Sequence, residues 1–316
     1  MKTEMKVSEK PLLRHMENAS VPLLRDRASL TAEYMALFRA LESLRPPGSR
    51  LFCDPLAALF VRRWRRWLYG IARSDMGRRL VEQLLDREAP GARAAGIART
   101  KWIDDEATTA LETAAQLVLL GAGFDTRACR LASARRLTTF ELDHPETSLA
   151  KQAALKRAIG SLPAEVRFVS IDFNRQSLAE ALSQAGFDQM RPACFIWEGV
   201  TNYLSADAVD AVLRQIRQAA LGSVLLFSYI HQGVLERPEQ FFGAEKLISR
   251  LRSYGEPWTF GFYPEELGAY LAARGWRLTK DVSVAEVWQH AGRPSSDVRG
   301  YEFYRLASAC VDRAAG

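Results

Sequence analysis

Residues 116–131 read QLVLLGAGFDTRACRL, and no other stretch constrains the fold as much. Four apolar residues, of strand length, run into Gly121-Ala122-Gly123, the tight turn of a strand that hands over to a helix. The same alternation repeats downstream. Strand candidates at 116–120, 137–142, 166–170, 193–197 and 222–229 alternate with helical stretches at 145–159, 176–184 and 205–219. That pattern predicts an α/β fold, a parallel sheet with helices on both faces. A helical stretch near 238–253, the loop YGEPWTFGFYP and a helix at 264–273 follow. Two last strands are expected near 276–286 and 301–308, the second spanning RGYEFYRLA and reading as structural.

Upstream of Leu117 the chain reads as all helix. The first 25 residues or so are expected to form a loose tail. Apolar residues at helical spacing then predict helices over 29–44, 54–68, 74–88 and 94–114. Asp54 and Pro55 stand at the N-cap and first position of the second of these.

With 316 residues, 48% of them apolar, the chain can bury one sizeable core or two linked ones. No apolar run approaches the roughly 20 residues that span a bilayer. The opening MKTEMKVSEK lacks a signal-peptide stretch, so a cytoplasmic protein without a membrane partner is expected. The four cysteines are scattered and the four histidines share no helical spacing, so neither a disulfide framework nor a metal site is expected. The net charge of +6 is unevenly spread: residues 45–99 carry +7, with twelve arginines and no lysine. Its densest piece, RRWRRW at 62–67, reads as a solvated helix face rather than a nucleic-acid surface, since no recognition motif accompanies it.

Ligands of open α/β sheets bind beyond the carboxyl ends of the strands. A dinucleotide loop would have a third glycine where this chain has Thr126, preceded by Asp125. A carboxylate there repels a pyrophosphate and suits a ligand that carries an ammonium and a sulfonium. The second strand ends in Glu141 and Asp143, about 20 residues past the glycines, where an acid accepts from ribose hydroxyls, although Asp143 before HPE also fits a helix N-cap. The third ends in Asp172-Phe173, a carboxylate for an adenine amino group beside an apolar ring. The fourth ends in Glu198.

The blocks SLTAEYMALFRALES, DPLAALF, ARTKWIDDE, LGAGFDTRACRL, FELDHPE, SIDF and IWEGVTNYL resemble the leucine carboxyl methyltransferase family. The nearer likeness is to its bacterial branch of S-adenosylmethionine-dependent O-methyltransferases, which includes polyketide-tailoring enzymes of the tetracenomycin type. The resemblance covers roughly residues 20–310. It implies a class I, Rossmann-like methyltransferase sheet of seven strands with the last antiparallel. It also implies a helical cover over 26–114, a methyltransferase domain over 115–316 and a cap inserted at about 231–262. By the same resemblance Arg99 pairs with the cofactor's methionine carboxylate, and Gly121, with Ala122 and Gly123, approaches its methionine part. Asp143 holds the ribose, Asp172 and Phe173 the adenine, and Glu198 the amino group or the edge of the acceptor pocket. Methylating enzymes of protein phosphatases have a basic residue near the N-terminal helix, where this chain has Ser29, Leu30, Thr31 and Ala32. The expected acceptor is therefore a hydroxyl or phenol of a small, natural-product type molecule. The alternative is a carboxylate on a small molecule or peptide. A hydroxyl acceptor calls for a base, and the candidates are His231 and Glu198, with Tyr203 and Tyr229 orienting.

Overall fold

The computed structural model describes residues 30–61, 65–132, 135–171 and 176–311. Its centre is a seven-stranded sheet: β1 (Gln116–Leu120), β2 (Thr138–Asp143), β3 (Val166–Ser170), β4 (Ala193–Trp197), β5 (Val224–Ile230), β6 (Trp276–Ser283) and β7 (Tyr304–Val311). The spatial order is β3-β2-β1-β4-β5-β7-β6. The first five strands pair in parallel, and β7 runs antiparallel to both β5 and β6. This is the class I methyltransferase order that the resemblance implies.

Side-chain alternation assigns each face of the sheet. Leu117 and Leu119 of β1, Cys194 and Ile196 of β4, and Leu226 and Ile230 of β5 point to one core. Val118 and Leu120, Phe195 and Trp197, and Leu225 and Phe227 point to the other. Central parallel strands are covered on both sides, which is why they read as unbroken apolar runs.

The first face packs against the helices that precede the sheet: α1 (Leu30–Ser43), α2 (Arg66–Ile71), α3 (Asp75–Glu88) and α4 (Ala92–Ala110). α5 (Pro145–Ile159), α6 (Leu178–Gln184) and α7 (Ala206–Ile216) are the crossovers. Between β5 and β6 lie α8 (Gly233–Glu236), α9 (Ala244–Ser253) and α10 (Pro264–Ala272).

Three expectations are corrected. The helix over 54–68 is not continuous. Asp54 accepts from the Ala57 N–H at 3.1 Å, but the segment makes only a 3₁₀ turn, Ala57–Phe60, and Val61 is extended. All of Ala57–Val61 is buried, so the turn inserts into the core instead of presenting one wet face. Phe60 stacks on Phe124 at 4.9 Å, and helix resumes at Arg66. The strand near 276–286 stops at Ser283. There a capping box with Glu286 starts α11 (Val284–His290), a helix the sequence pattern did not announce. The last strand starts three residues later than expected, at Tyr304.

Candidate active site

Beyond the carboxyl ends of β1, β2 and β4 lies a cavity of about 660 Å³. Pockets of this size suit a small-molecule ligand. The strand ends and the glycine loop bring charged groups to its lining; α1, α3, α4, the segment 247–259 and Tyr301 and Tyr304 bring mostly apolar and aromatic ones, together with Glu88, Arg99, Arg250 and Glu256.

The polar part of the lining begins with the glycine loop. Gly121 has φ +66°, and a Cβ on it would meet Val200 Cγ2 at 2.5 Å. Here the left-handed backbone and the neighbour both exclude a side chain. The Ala122 N–H donates to the Leu142 carbonyl at 3.0 Å, which ties the loop to the end of β2. Gly123 donates its N–H to the Asp143 carboxylate, and the His144 N–H donates to the other oxygen at 2.6 Å. Asp143 thus lines the cavity with its orientation set by two amides. Burial pushes its carboxyl above the ordinary range, against the pull of those amides. Glu141, the other acid of β2, is turned into the protein, where it meets Lys151 of α5 at 2.7 Å.

The remaining polar wall is a chain of ion pairs. Glu198, at the end of β4, receives Arg99 Nε on one oxygen at 2.6 Å and Arg127 Nη1 on the other at 2.5 Å. Arg127 also holds Asp125 at 2.6 Å and Asp104 at 2.6 Å, and Arg130 binds Asp104 at 2.8 Å. Burial alone would raise both cavity carboxyls, but arginine outweighs it. Arg127 and Arg99 hold Glu198 below its ordinary value, and Arg127, then Lys151 and Arg39, draw Asp125 down to about 2. Arg99 spends only Nε on Glu198. Its two Nη nitrogens have no hydrogen-bond partner among the described residues, and its guanidinium lies 5.2 Å from the Tyr304 ring centroid. The wall can therefore hold a molecule with an anionic and a cationic group close together.

Arg99, Gly121, Ala122, Gly123, Asp143, Glu198 and Tyr203 all line this one cavity. Asp172 and Phe173 lie outside the described residues, although Ile171, just before them, is in the lining. Two others stand elsewhere. His231 is not in the lining; its ring sits between Phe241 and Tyr263, and Nδ1 accepts from the Gly233 N–H at 3.0 Å. Tyr229 is buried in the core of the opposite face, its hydroxyl on Asp281. Tyr203 donates to Thr31 Oγ1 at 3.3 Å, and its phenol is pushed up to about 12, chiefly by burial. Sequence reasoning missed Arg127, Tyr301, Tyr304 and Trp258. The Asp-x-Arg spacing inside the glycine loop was the one available signal for Arg127; nothing local marks the aromatic residues.

The S-adenosylmethionine expected from the sequence carries a carboxylate, an ammonium, a sulfonium and a ribose diol. The free edge of Arg99, the paired carboxylates Asp125 and Glu198, and Asp143 beside the glycine loop match those groups, so the residues fit it.

Comparison with known proteins agrees. Residues 32–217 match the Leucine carboxyl methyltransferase family model. A Streptomyces coelicolor protein described as an S-adenosyl-L-methionine-dependent methyltransferase is 32% identical over 279 residues, spanning 86% of this chain and 90% of its own. A similarly described protein of Mycolicibacterium paratuberculosis is 31% identical over 273 residues, spanning 84% and 87%. Among solved structures, one described as a methyltransferase from Thermobifida fusca aligns with a TM-score of 0.56 at 20% identity, covering 86% of this chain and 97% of its own; at that identity the likeness speaks to fold. The chain belongs to the leucine carboxyl methyltransferase family and is an S-adenosyl-L-methionine-dependent methyltransferase.

Proposed function

We propose that this enzyme methylates an oxygen of a small-molecule acceptor, first of all a phenol-type hydroxyl acidic enough to arrive ionised. The observation that carries the reading is that one cavity is lined both by the charged groups at the strand ends and by the aromatic side chains of α1, the segment 247–259, Tyr203, Tyr301 and Tyr304. Bound S-adenosylmethionine supplies a methyl group on a sulfonium that departs as a neutral thioether. In this reading the free Nη edge of Arg99 binds the methionine carboxylate. Asp125 and Glu198 face the ammonium, the loop Gly121–Gly123 lets backbone come close, and Asp143 accepts from the ribose hydroxyls. Asp172 and Phe173 are assigned to the adenine by the resemblance. Tyr203 and the aromatic walls orient the acceptor and exclude water, so that alignment supplies most of the rate enhancement.

A carboxylate acceptor is the second reading, because the same arrangement serves it as well as an ionised phenol. Asp125 and Glu198 are held ionised by arginine, Glu256 is bound to amides of α1, and His144 stands at the Asp143 end. Glu88 sits exposed at the rim. No described lining residue beside the aromatic side chains is arranged as a proton acceptor, and His231 lies off the cavity. A base-free site serves an acceptor that brings its own negative charge.

The test offers the enzyme S-adenosylmethionine with a labelled methyl group, a series of phenols of graded acidity and a series of aromatic carboxylic acids. Rates should follow the ionised fraction of the phenol, His231→Ala should match the native enzyme, and the label should survive alkali as an ether. Label released by alkali from carboxylic acids alone would establish the second reading. Failure of S-adenosylhomocysteine to bind would refute both.

A further inference from the structure

Arg127 is only 2% exposed and does not line the cavity, yet it touches two residues that do. Its Nη1 donates to Asp125 at 2.6 Å and to Glu198 at 2.5 Å, while its own backbone N–H donates to the second Asp125 oxygen at 2.7 Å. Behind it, Nε is anchored on Asp104 of α4 at 2.6 Å. Asp125 comes from the loop after β1 and Glu198 from the end of β4, so one guanidinium bridges two neighbouring strand ends. A planar donor fork anchored at its rear leaves little freedom for the two carboxylates in front of it.

We propose that Arg127 is a positioning residue that fixes Asp125 and Glu198 side by side as an ionised pair, and that this pair receives the cationic amino end of the cofactor. The proposal rests on the assignment of the charged groups at the strand ends to the cofactor's amino-acid part. Each carboxylate keeps lone pairs beyond those that arginine uses, so both can accept from an ammonium. Two buried carboxylates this close would repel each other and take up a proton without a cation between them. The other charged groups around them are Arg39 of α1, Arg99 and Asp104 of α4, Arg130, Glu141 of β2 and Lys151 of α5, with the phenols of Tyr203 and Tyr304. Of these, Arg99 touches Glu198 but not Asp125, and among the described residues only Arg127 is hydrogen-bonded to both. Arg127 thus converts a pair that would titrate into a permanently anionic one.

The affinity for S-adenosylhomocysteine is measured by calorimetry from pH 5.5 to 7.5 for the native enzyme, Arg127→Gln and Arg127→Lys, with urea unfolding at each pH. Each variant is read relative to the native enzyme at the same pH, which removes the titration of Glu141 near pH 7 that all three share. In the native enzyme Asp125 and Glu198 stay ionised throughout, so its affinity should change by no more than about threefold. Arg127→Gln should bind roughly tenfold more weakly at pH 7.5 and lose roughly another tenfold by pH 5.5, as the pair takes up a proton. Arg127→Lys keeps a cation and should restore the flat profile at reduced affinity. An Arg127→Gln affinity equal to the native one, or lowered by one constant factor at every pH, would overturn the proposal, since a purely structural role gives no pH signature. If Arg127→Gln does not fold because Asp104 keeps only Arg130 of its two arginine partners, Arg127→Gln/Asp104→Asn removes both charges and carries the same readout. Absence of binding by the native enzyme would instead remove the cofactor assignment beneath the proposal.

Discussion

Gly121 shows how a single residue governs the site. Its φ of +66° costs an L-residue energy, and a Cβ there would sit 2.5 Å from Val200 Cγ2. Gly121→Ala should therefore lower stability by roughly 1–3 kcal/mol through strain and overpacking together. Adding Val200→Ala should return the overpacking part and leave the backbone part. Urea unfolding of the single and double variants separates the two, and equal stability of single variant and native enzyme would show that the loop relaxes freely. Gly123 differs: it has φ +47°, but the nearest atoms to an added Cβ lie 3.9 Å away, so conformation alone asks for glycine. The glycines were legible in the sequence because glycine after a strand has few other uses. The partner of Gly121 was not, because Val200 lies 79 residues on and reaches the loop only through the pairing of β1 with β4.

Among elements, the contact between α1 and the segment after α9 joins two parts of the aromatic lining of the cavity. Glu256 accepts the Leu30 N–H at 2.8 Å and the Thr31 N–H at 3.4 Å, which are among the amides that a helix start leaves without internal partners. A carboxylate at that end also meets the positive pole of the helix. Thr31, in turn, takes the hydroxyl hydrogen of Tyr203. Glu256→Ala should cost about 1 kcal/mol, discounted for its partial exposure. It should also speed amide exchange in the first turn of α1 more than in α4. Unchanged exchange at residues 31–34 would show that the contact does not hold the helix. Sequence reasoning placed α1 within a residue or two but could not see the contact with Glu256, which lies 225 residues downstream of Thr31.

For the molecule as a whole, the buried pair of Glu141 and Lys151 links stability to pH. Burial raises the Glu141 carboxyl to about 7, against the opposing pull of Lys151, so the folded protein keeps a proton that the unfolded chain has released. That contribution is complete below the ordinary glutamate range and is lost as pH rises towards 7. Stability should therefore fall between pH 5 and 7 by at most about 1.4 kcal/mol per pH unit from this group, and Glu141→Gln should flatten that slope. Thermal unfolding at both pH values checks it; an unaltered slope in the variant would assign the dependence elsewhere. The sequence by itself determined the α/β class, the strand set and the presence of Gly121, Gly123, Asp143 and Glu198 at strand ends, because periodicity and turn chemistry are local and survive in one dimension. It also pointed to Arg99 through the family resemblance. Only the tertiary structure decided which side chains meet: Arg127 with Glu198 across 71 positions, Tyr301 and Tyr304 beside the cavity, His231 away from it, and the helix at 284–290. Those outcomes depend on how strands pair and how helices pack over them, and a contact between distant segments leaves no period for a sequence to display.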